Sequence, residues 1–197
     1  MAYKIKAIGV LVIMFCSCNN NTKSQQVYQA KQGCELIEEA YNQGNWDLII
    51  SVGDTLIRDD DPHNISIVYA EALAAKGNYE KAINVLNRKI AQKPDDYYLY
   101  QTKGNIFAVA EKYDSAIANY DIVIEMNPKY ARTYIYEGEI YEALGKKEEA
   151  IKKYVVATYL FARNNFEDEA YELEKRILSL DPNNKEVKEM MTDMGLK

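Results

Sequence analysis

The sequence predicts an all-α protein made of stacked helical hairpins. The main observation is a repeat of 34 residues, at which Ala82, Ala116 and Ala150 recur. Pro94 and Pro128 keep the same spacing, and apolar residues within each unit follow helical periodicity. A period of this length is typical of arrays in which each helix pair buries its apolar side against the next pair. We therefore expect an α–α superhelix of three to four helix-turn-helix units, followed by a C-terminal capping pair of helices.

Each unit is expected to contain two helices joined by a short turn. In the unit with the clearest pattern, Asp95 and Asp96 can cap the first helix. Glu111 and Lys112 form the turn, and Pro128 ends the second helix. Helices of about 14 residues are marginal in isolation, so we expect contacts between neighbouring pairs to supply the stability.

Small residues recur where the two helices of a pair should touch. We expect Gly104 and Gly138 to face Ala116 and Ala150 across their pairs, and Ala70 occupies the same position in the unit before. Helix axes approach to about 8–10 Å only when the side chains between them allow it. A larger residue at these positions should push the helices apart.

These features resemble the tetratricopeptide repeat. That family has a small residue at the eighth position of each repeat, Tyr at the seventeenth, Ala at the twentieth and Pro at the thirty-second. The third matching unit here lacks the closing proline. The residues that carry the resemblance are Ala70, Gly77, Tyr79, Ala82 and Pro94 in 63–96; Gly104, Tyr113, Ala116 and Pro128 in 97–130; and Gly138, Tyr141, Gly145 and Ala150 in 131–164.

The N-terminus has the pattern of a secretion signal. Lys4 and Lys6 precede an apolar run from Ala7 to Phe15. As a helix, this run would be about 14 Å long at roughly 1.5 Å per residue, too short for a bilayer core of about 30 Å. It therefore indicates a signal peptide and not an anchor helix.

The residues after this run resemble the processing box of bacterial lipoproteins. The box reads Phe15-Cys16-Ser17-Cys18, with Phe in place of the more usual Leu. The resemblance implies cleavage before Cys18, three acyl chains on that cysteine and, with the polar Asn19 next, an outer-membrane position facing the periplasm. Cys16 is the weaker candidate for modification, and plain secretion is the alternative interpretation.

The repeat resemblance covers most of residues 30–195. The run from Gly44 to Trp46 parallels that from Gly77 to Tyr79, which suggests an earlier, divergent unit with Ile49 in place of the expected Ala. The predicted segments are 1–17 (lipoprotein signal peptide), 18–28 (polar tether), 29–62 (divergent unit), 63–96, 97–130 and 131–164 (repeats), and 165–197 (capping helices).

Composition argues against several classes of function. Without residues 1–17, which carry two lysines and no acid, the formal net charge changes from −6 to −8. Such an acidic body is unlike nucleic-acid-binding proteins. Three acids precede His63, the one histidine of the chain, but a metal site would need more ligands in a converging geometry, so we interpret this cluster as a solvated loop with a helix cap. Cys34 is expected to be a small core residue. We expect no enzyme activity, cofactor or metal.

In the tetratricopeptide family, the first helix of each pair lines a groove that takes an extended peptide or a partner helix. The one arginine among several acids suggests a peptide with some positive charge. The alternative function is that of an obligate structural subunit in a secretion, assembly or motility complex. Carried onto this chain, the expected groove residues are Ile67, Glu71, Tyr98, Gln101, Asn105, Arg132, Ile135, Glu139 and Glu142.

Overall fold

The structure is a computed structural model that describes residues 35–56 and 65–196. Over these residues it consists of helices and turns, with no strand, so the predicted all-α architecture is confirmed. No described helix combines the length and apolar composition of a membrane span. The chain divides into two compact units, Met1–Ile65 and Ser66–Lys197.

The first unit contains a helical hairpin. Helix α1 is described over residues 35–42, and α2 is Trp46–Leu56. Between them Gly44 adopts a φ of +64°, a left-handed conformation that glycine enters without steric penalty. The Asn45 side chain accepts a hydrogen bond from Leu48 N at 3.2 Å, which caps α2. The Gly44–Trp46 run therefore forms the turn of this hairpin, and the assignment of residues 29–62 to a divergent unit stays a prediction.

Within the described residues 65–196, eight further helices follow as three successive hairpins and a C-terminal extension. They are α3 (Ile65–Ala75), α4 (Tyr79–Gln92), α5 (Tyr97–Val109), α6 (Tyr113–Met126), α7 (Ala131–Ala143), α8 (Lys147–Arg163), α9 (Glu167–Leu180) and α10 (Lys185–Asp193).

Neighbouring helices pack as expected for a stacked array. Helices α5 and α6 form one pair, and α7 and α8 form the next. The pairs join through contacts of α4 with α5 and of α6 with α7, and α5 also touches α7 directly. The first helices of consecutive pairs therefore lie side by side.

Turns within the pairs share one backbone geometry. The left-handed position is occupied by Gly77, Glu111 or Gly145, with φ of +78°, +56° and +70°. In the second of these turns, Lys112 N donates to Phe107 O at 2.8 Å. This is the Schellman pattern, which satisfies carbonyl groups at the end of a helix. Glu111 adopts it at a steric cost that glycine does not carry.

Turns between the pairs are set by proline and by a cap, as the sequence predicts. Helix α6 ends at Met126, two residues before Pro128. The Asp96 side chain accepts a hydrogen bond from Tyr98 N at 3.1 Å and so caps α5. The predicted helix boundaries at these sites are confirmed.

Helix α8 departs from the pattern because the proline expected at its end is absent. Ala162 occupies that position, and the helix continues to Arg163 over 17 residues, against 14 in α4 and α6. A Schellman turn then follows, with Asn165 at a φ of +62°. Helix α8 packs against α7 on one side and against α9 on the other. One helix therefore serves two hairpins.

In two of the pairs, the side chain closest to the glycine of the first helix is a tyrosine of the second helix. A Cβ atom placed on Gly104 would lie 2.4 Å from Tyr120 Cε1, and one placed on Gly138 would lie 2.4 Å from Tyr154 Cε1. These tyrosines lie four residues after Ala116 and Ala150, on the same face of their helices. The predicted approach of the glycines to the two alanines stays a prediction.

Candidate partner-binding surface

The expected groove residues on α5 and α7 lie on adjacent helices, and we call this set the α5–α7 face. The structure also places Ile67 and Glu71 on α3, where both are partly buried. The contacts within this chain do not test whether these residues bind a partner, so their assignment to a groove stays a prediction. The α5–α7 face comprises Tyr98, Gln101, Asn105, Arg132, Ile135, Glu139 and Glu142.

One edge of the α5–α7 face carries a cluster of three tyrosines, which we call the tyrosine cluster: Tyr97, Tyr98 and Tyr130. The ring centroids of Tyr97 and Tyr98 are 4.2 Å apart, and that of Tyr130 lies 5.3 and 6.0 Å from them. Tyr98 remains 47% exposed, as its register predicts. A hydrogen bond with Tyr98, together with burial, raises the pKa of Tyr97 to about 12. Tyr97 therefore stays uncharged at neutral pH.

Arg132 lies beside this cluster, two residues after Tyr130 at the start of α7. Its side chain is exposed, and no carboxylate within residues 35–56 and 65–196 forms an ion pair with it. Its positive charge lowers the pKa of the Tyr130 hydroxyl, although burial has the larger, opposite effect and raises it. Arg132 is therefore a cation available to a partner.

Gln101 does not lie on open surface. Only 5% of it is exposed, and its Oε1 accepts a hydrogen bond from Thr133 Oγ1 at 3.0 Å. Its Nε2 has no hydrogen-bond partner among the described residues. Gln101 thus belongs to the packing between α5 and α7, because the two helices are close enough to cover it.

Two residues of the face are held by tyrosines from the second helix of their own pair. Tyr120 Oη donates to Asn105 Oδ1 at 2.8 Å, and Tyr154 Oη donates to Glu142 Oε2 at 2.7 Å. Burial raises the pKa of both tyrosine hydroxyls, and the bond to Glu142 raises that of Tyr154 further. The tyrosines that fill the space opposite Gly104 and Gly138 therefore also orient the binding face.

Both acids that α7 contributes to the α5–α7 face are already paired within the chain. Arg176 of α9 binds Glu139 Oε1 through Nη1 at 3.0 Å and Glu142 Oε2 through Nε and Nη2 at 3.0 Å. Its guanidinium also lies 4.7 Å from the centroid of the Tyr154 ring, a favourable cation–π distance. The expectation of a positively charged peptide rested partly on these acids, and it stays a prediction. Arg176 engages both of them and compensates one of their two negative charges.

A third acid of α7 is fully buried beneath the face. Glu137 has 0% exposure and forms an ion pair with Lys153 of α8. Burial raises the pKa of Glu137, Lys153 lowers it, and Asp121 of α6 raises it. Lys153 on α8 thus stabilises the negative charge of Glu137, whereas Asp121 on α6 destabilises it. One carboxyl group therefore links three helices.

Sequence reasoning missed Arg176, Tyr97 and Tyr130. Tyr97 directly precedes Tyr98, and Tyr130 lies two residues before Arg132. Their closeness in sequence to these residues of the α5–α7 face could have indicated them. Arg176 lies 34 residues from Glu142, on a helix predicted only as a cap. This separation equals the repeat period, which is the signal that could have indicated the pair.

Other predicted sites lie outside the described residues. These are Cys18, Cys34 and the acids before His63. Within the part of the chain that the structure describes, no group of three or more His, Cys, Asp or Glu could hold a metal ion.

Comparison with known proteins agrees with the hairpin geometry. The family model described as tetratricopeptide repeat matches residues 102–158. The matched segment runs from within α5 to within α8, which includes most of the α5–α6 pair and most of the α7–α8 pair. In sequence it is 26% identical over 130 residues to a TPR repeat-containing thioredoxin of Arabidopsis thaliana, which corresponds to 66% of this chain and 32% of the relative. The chain thus spans about a third of that relative's length.

Solved structures share the tetratricopeptide fold at low sequence identity. A crystal structure of MamA has a TM-score of 0.57 at 18% identity and covers 84% of this chain and 93% of its own. The TPR2B domain of yeast Sti1, in a structure described as a complex with pHsp70, has a TM-score of 0.53 at 19% identity, covering 60% of this chain and 95% of the domain. At these identities the likeness concerns the fold.

Proposed function

We propose that this chain is a lipid-anchored adaptor of the bacterial envelope that faces the periplasm and binds a protein or peptide partner on the α5–α7 face. The observation that supports partner binding is the exposed Tyr98 of the tyrosine cluster, together with the exposed Arg132, which forms no ion pair with a carboxylate of the described residues. Tyrosine and arginine are enriched among the residues that contribute most binding energy in protein interfaces. A tyrosine ring offers a large apolar surface and a polar tip at a small loss of conformational freedom.

The tetratricopeptide repeats support the same proposal. The similar TPR2B domain of yeast Sti1 forms a complex with pHsp70, so this arrangement of helices can present a binding surface. The repeats in this chain keep the first helices α5 and α7 in contact, which holds the face rigid before a partner arrives. Rigid surfaces lose less entropy on binding.

The anchor is proposed from the N-terminal sequence. A short apolar run followed by Cys18 matches a lipoprotein signal. One acyl chain gives marginal membrane binding, whereas two or more give stable anchoring at about 0.8 kcal/mol per buried methylene. A triacylated Cys18 would keep the adaptor on the outer membrane, and the polar residues 19–24 would separate it from the surface.

A photo-crosslinking experiment in intact cells tests the binding face. A photoreactive amino acid replaces Tyr98 in one strain and Tyr159 of α8 in a matched control, because the two tyrosines are similarly exposed at 47% and 41%. We expect a defined crosslinked partner at position 98, identified by mass spectrometry, and none in common at position 159. Crosslinks at 159 alone would contradict the proposed face.

Palmitate labelling tests the anchor. We expect Cys18→Ser to abolish labelling and to release the protein from the membrane fraction, whereas Cys16→Ser should leave both unchanged. Labelling that survives Cys18→Ser would refute the assignment of this residue.

An obligate subunit of a larger complex is the second candidate. Val156 and Tyr159 on α8, together with Phe166, are apolar side chains that remain 38–52% exposed. They lie on and just after the helix that serves two hairpins, away from the α5–α7 face in sequence. The position-159 crosslinking strain discriminates between the two candidates.

A further inference from the structure

We propose that a proton on Glu137 switches the junction between the α5–α6 pair and the α7–α8 pair, and that this switch regulates the α5–α7 face. The switch stands on contacts within the chain, whereas its effect on a partner rests on the proposed function. Three residues form the junction cluster: Asp121 of α6, Glu137 of α7 and Lys153 of α8.

The carboxyl group of Glu137 has two alternative partners. It is fully buried and forms an ion pair with Lys153, whose side chain is 29% exposed. Neither of its oxygens accepts a hydrogen bond from the described residues. The exposed Asp121 lies within side-chain hydrogen-bonding reach of Glu137. Two carboxyl groups share a hydrogen bond only when one of them carries a proton, because ionised carboxylates are acceptors only.

The two protonation states therefore connect different helices. When Glu137 is ionised, Lys153 attracts it within the α7–α8 pair, and the Asp121 carboxylate repels it across the junction. When Glu137 is protonated, it donates a hydrogen bond to Asp121, and the ammonium group of Lys153 is free to turn towards solvent. Hydrogen bonds from a carboxylic acid to a carboxylate are short and strong. The proton thus replaces a contact within one pair by a contact between two pairs.

Titratable groups reach Glu137 from both helices of the junction. Burial raises the pKa of Glu137 above its ordinary value of 4.5, Lys153 lowers it, and Asp121 raises it. Tyr120 of α6 and Tyr134 of α7 also interact electrostatically with Glu137. Burial raises the pKa of both tyrosine hydroxyls, so they remain neutral where a carboxyl group titrates. The junction cluster takes up its proton as the pH falls through the folded-state pKa of Glu137.

The other helices near α7 add no opposing charge to this carboxyl group. Helix α5 contacts α7 through the uncharged Gln101, and burial lowers the pKa of Lys103 on α5. Arg176 of α9 is bound by Glu139 and Glu142. The titration therefore belongs to the junction cluster.

One route from the junction to the α5–α7 face runs along α7. Thr133 lies one turn before Glu137 on the same side of the helix, and both residues are 0% exposed. The Thr133 hydroxyl donates to Gln101 Oε1 of α5 at 3.0 Å. A displacement of α7 at Glu137 therefore changes the contact that joins the two helices of the face.

A second route runs through α6. Tyr120 directly precedes Asp121, and its ring stacks on that of Tyr136 with centroids 5.8 Å apart and an interplanar angle of 25°. The Tyr120 hydroxyl donates to Asn105 of the face at 2.8 Å. Helix shifts of about 1–2 Å at an interface are an established form of switching. A shift of this size between α6 and α7 would reach the face through these rings.

A pH titration by nuclear magnetic resonance tests the switch without a partner. The full chain, purified in detergent with 13C-labelled carboxyl groups, is titrated from about pH 8 to about pH 4. Glu137→Gln identifies the resonance of the Glu137 carboxyl group. We expect that group to titrate above its ordinary pKa of 4.5. The side-chain amide resonances of Gln101 on α5 should shift with the same midpoint.

Variants of the junction cluster should move this midpoint in opposite directions. Asp121→Asn removes a like charge, so the midpoint should move to lower pH. Lys153→Met removes the opposite charge, so the midpoint should move to higher pH. Glu137→Gln should abolish the pH response of Gln101, because no carboxyl group remains to titrate. Glu172→Gln, which removes an exposed acid of α9, is the matched control and should leave the midpoint unchanged.

Two results would overturn the switch. One is a Gln101 resonance that does not shift with pH or that still shifts in Glu137→Gln. The other is a midpoint that neither Asp121→Asn nor Lys153→Met displaces. Asp121 is exposed, so Asp121→Asn keeps the test decisive even if Glu137→Gln does not fold.

Crosslinking at position 98 tests the regulation of the face separately. Cells that carry the photoreactive amino acid in place of Tyr98 are irradiated in media buffered about one pH unit above and below the measured midpoint. We expect the yield of crosslinked partner to differ by about twofold or more, and Glu137→Gln should remove the difference. Equal yields would overturn the effect on the partner. If no partner crosslinks at either pH, the proposed function fails, and the titration alone decides the switch.

Discussion

Replacing Gly104 by alanine should destabilise the protein, although the same change in most helices is stabilising. Alanine is about 1 kcal/mol better than glycine in a helix interior. Here, however, the added Cβ would lie 2.4 Å from Cε1 and 2.7 Å from Cδ1 of Tyr120. The tyrosine cannot easily move, because it is 1% exposed and its hydroxyl is bonded to Asn105 at 2.8 Å.

The size of the effect follows from these contacts. Forcing an extra carbon into a packed core costs about 1–3 kcal/mol, and loss of the bond to Asn105 costs about 1 kcal/mol more. After the gain in helix propensity, we expect Gly104→Ala to lower the free energy of unfolding by about 1–3 kcal/mol. Each kcal/mol corresponds to about 2–4 °C in Tm for a chain of this size.

The chain itself supplies the control. At the equivalent positions of the preceding repeat, Ala70 and Leu86 are both fully buried, so alanine is accommodated where leucine replaces tyrosine. In the background of Tyr120→Leu, Gly104→Ala should therefore become stabilising by about 1 kcal/mol. Thermal and urea unfolding followed by far-UV circular dichroism measure both effects. A higher Tm for Gly104→Ala in the parent chain would refute the close contact on which the prediction depends.

Three further substitutions test other features by the same unfolding measurements. Glu111→Gly should stabilise the protein by about 1 kcal/mol, because a left-handed residue at φ +56° favours glycine. Lys153→Met should destabilise it by about 3 kcal/mol at pH 7, since the buried Glu137 carboxylate loses its partner, and the loss should shrink towards pH 5. Gln101→Met should cost about 1–2 kcal/mol by leaving the Thr133 hydroxyl unpaired, whereas the double change with Thr133→Val should cost much less.

The pH dependence expected for Lys153→Met follows from the direction of the pKa shift. Burial raises the pKa of Glu137 above its ordinary value of 4.5, so the native state binds the proton more tightly than the unfolded state does. Stability from this group is therefore greatest below pH 4.5 and falls as the pH rises through the folded-state pKa. Without Lys153 the folded-state pKa of Glu137 rises further, and stability then depends more strongly on pH. A loss independent of pH would contradict this account.

Specific results would also contradict the predictions for Glu111 and for the pair of Gln101 and Thr133. A lower Tm for Glu111→Gly would show that the side chain makes a contact worth more than the strain of its backbone. A double variant at Gln101 and Thr133 as unstable as Gln101→Met alone would show that the two side chains do not act as a pair.

Prediction from sequence succeeded where the determinants are local. The cap at Asp96, the turn at Glu111 and the helix end before Pro128 each depend on residues within one or two turns of helix, and all three are present. The missing proline at Ala162 was also visible in the sequence, but its consequence was not. Helix α8 continues past this position and packs against both α7 and α9. The second contact depends on where the apolar side of α9 packs, which is a tertiary property.

The sequence by itself determined the 34-residue period, the type of helix pair and the exposure of Tyr98, because helical periodicity and turn chemistry repeat in register. Tertiary structure decided which charges remain available. Arg176 reaches Glu139 and Glu142 across 37 and 34 residues, and Gln101 is covered by the approach of α7 to α5. Contacts between distant segments depend on the summed packing of several helices, which no local pattern contains, and here they change the charge of the binding face.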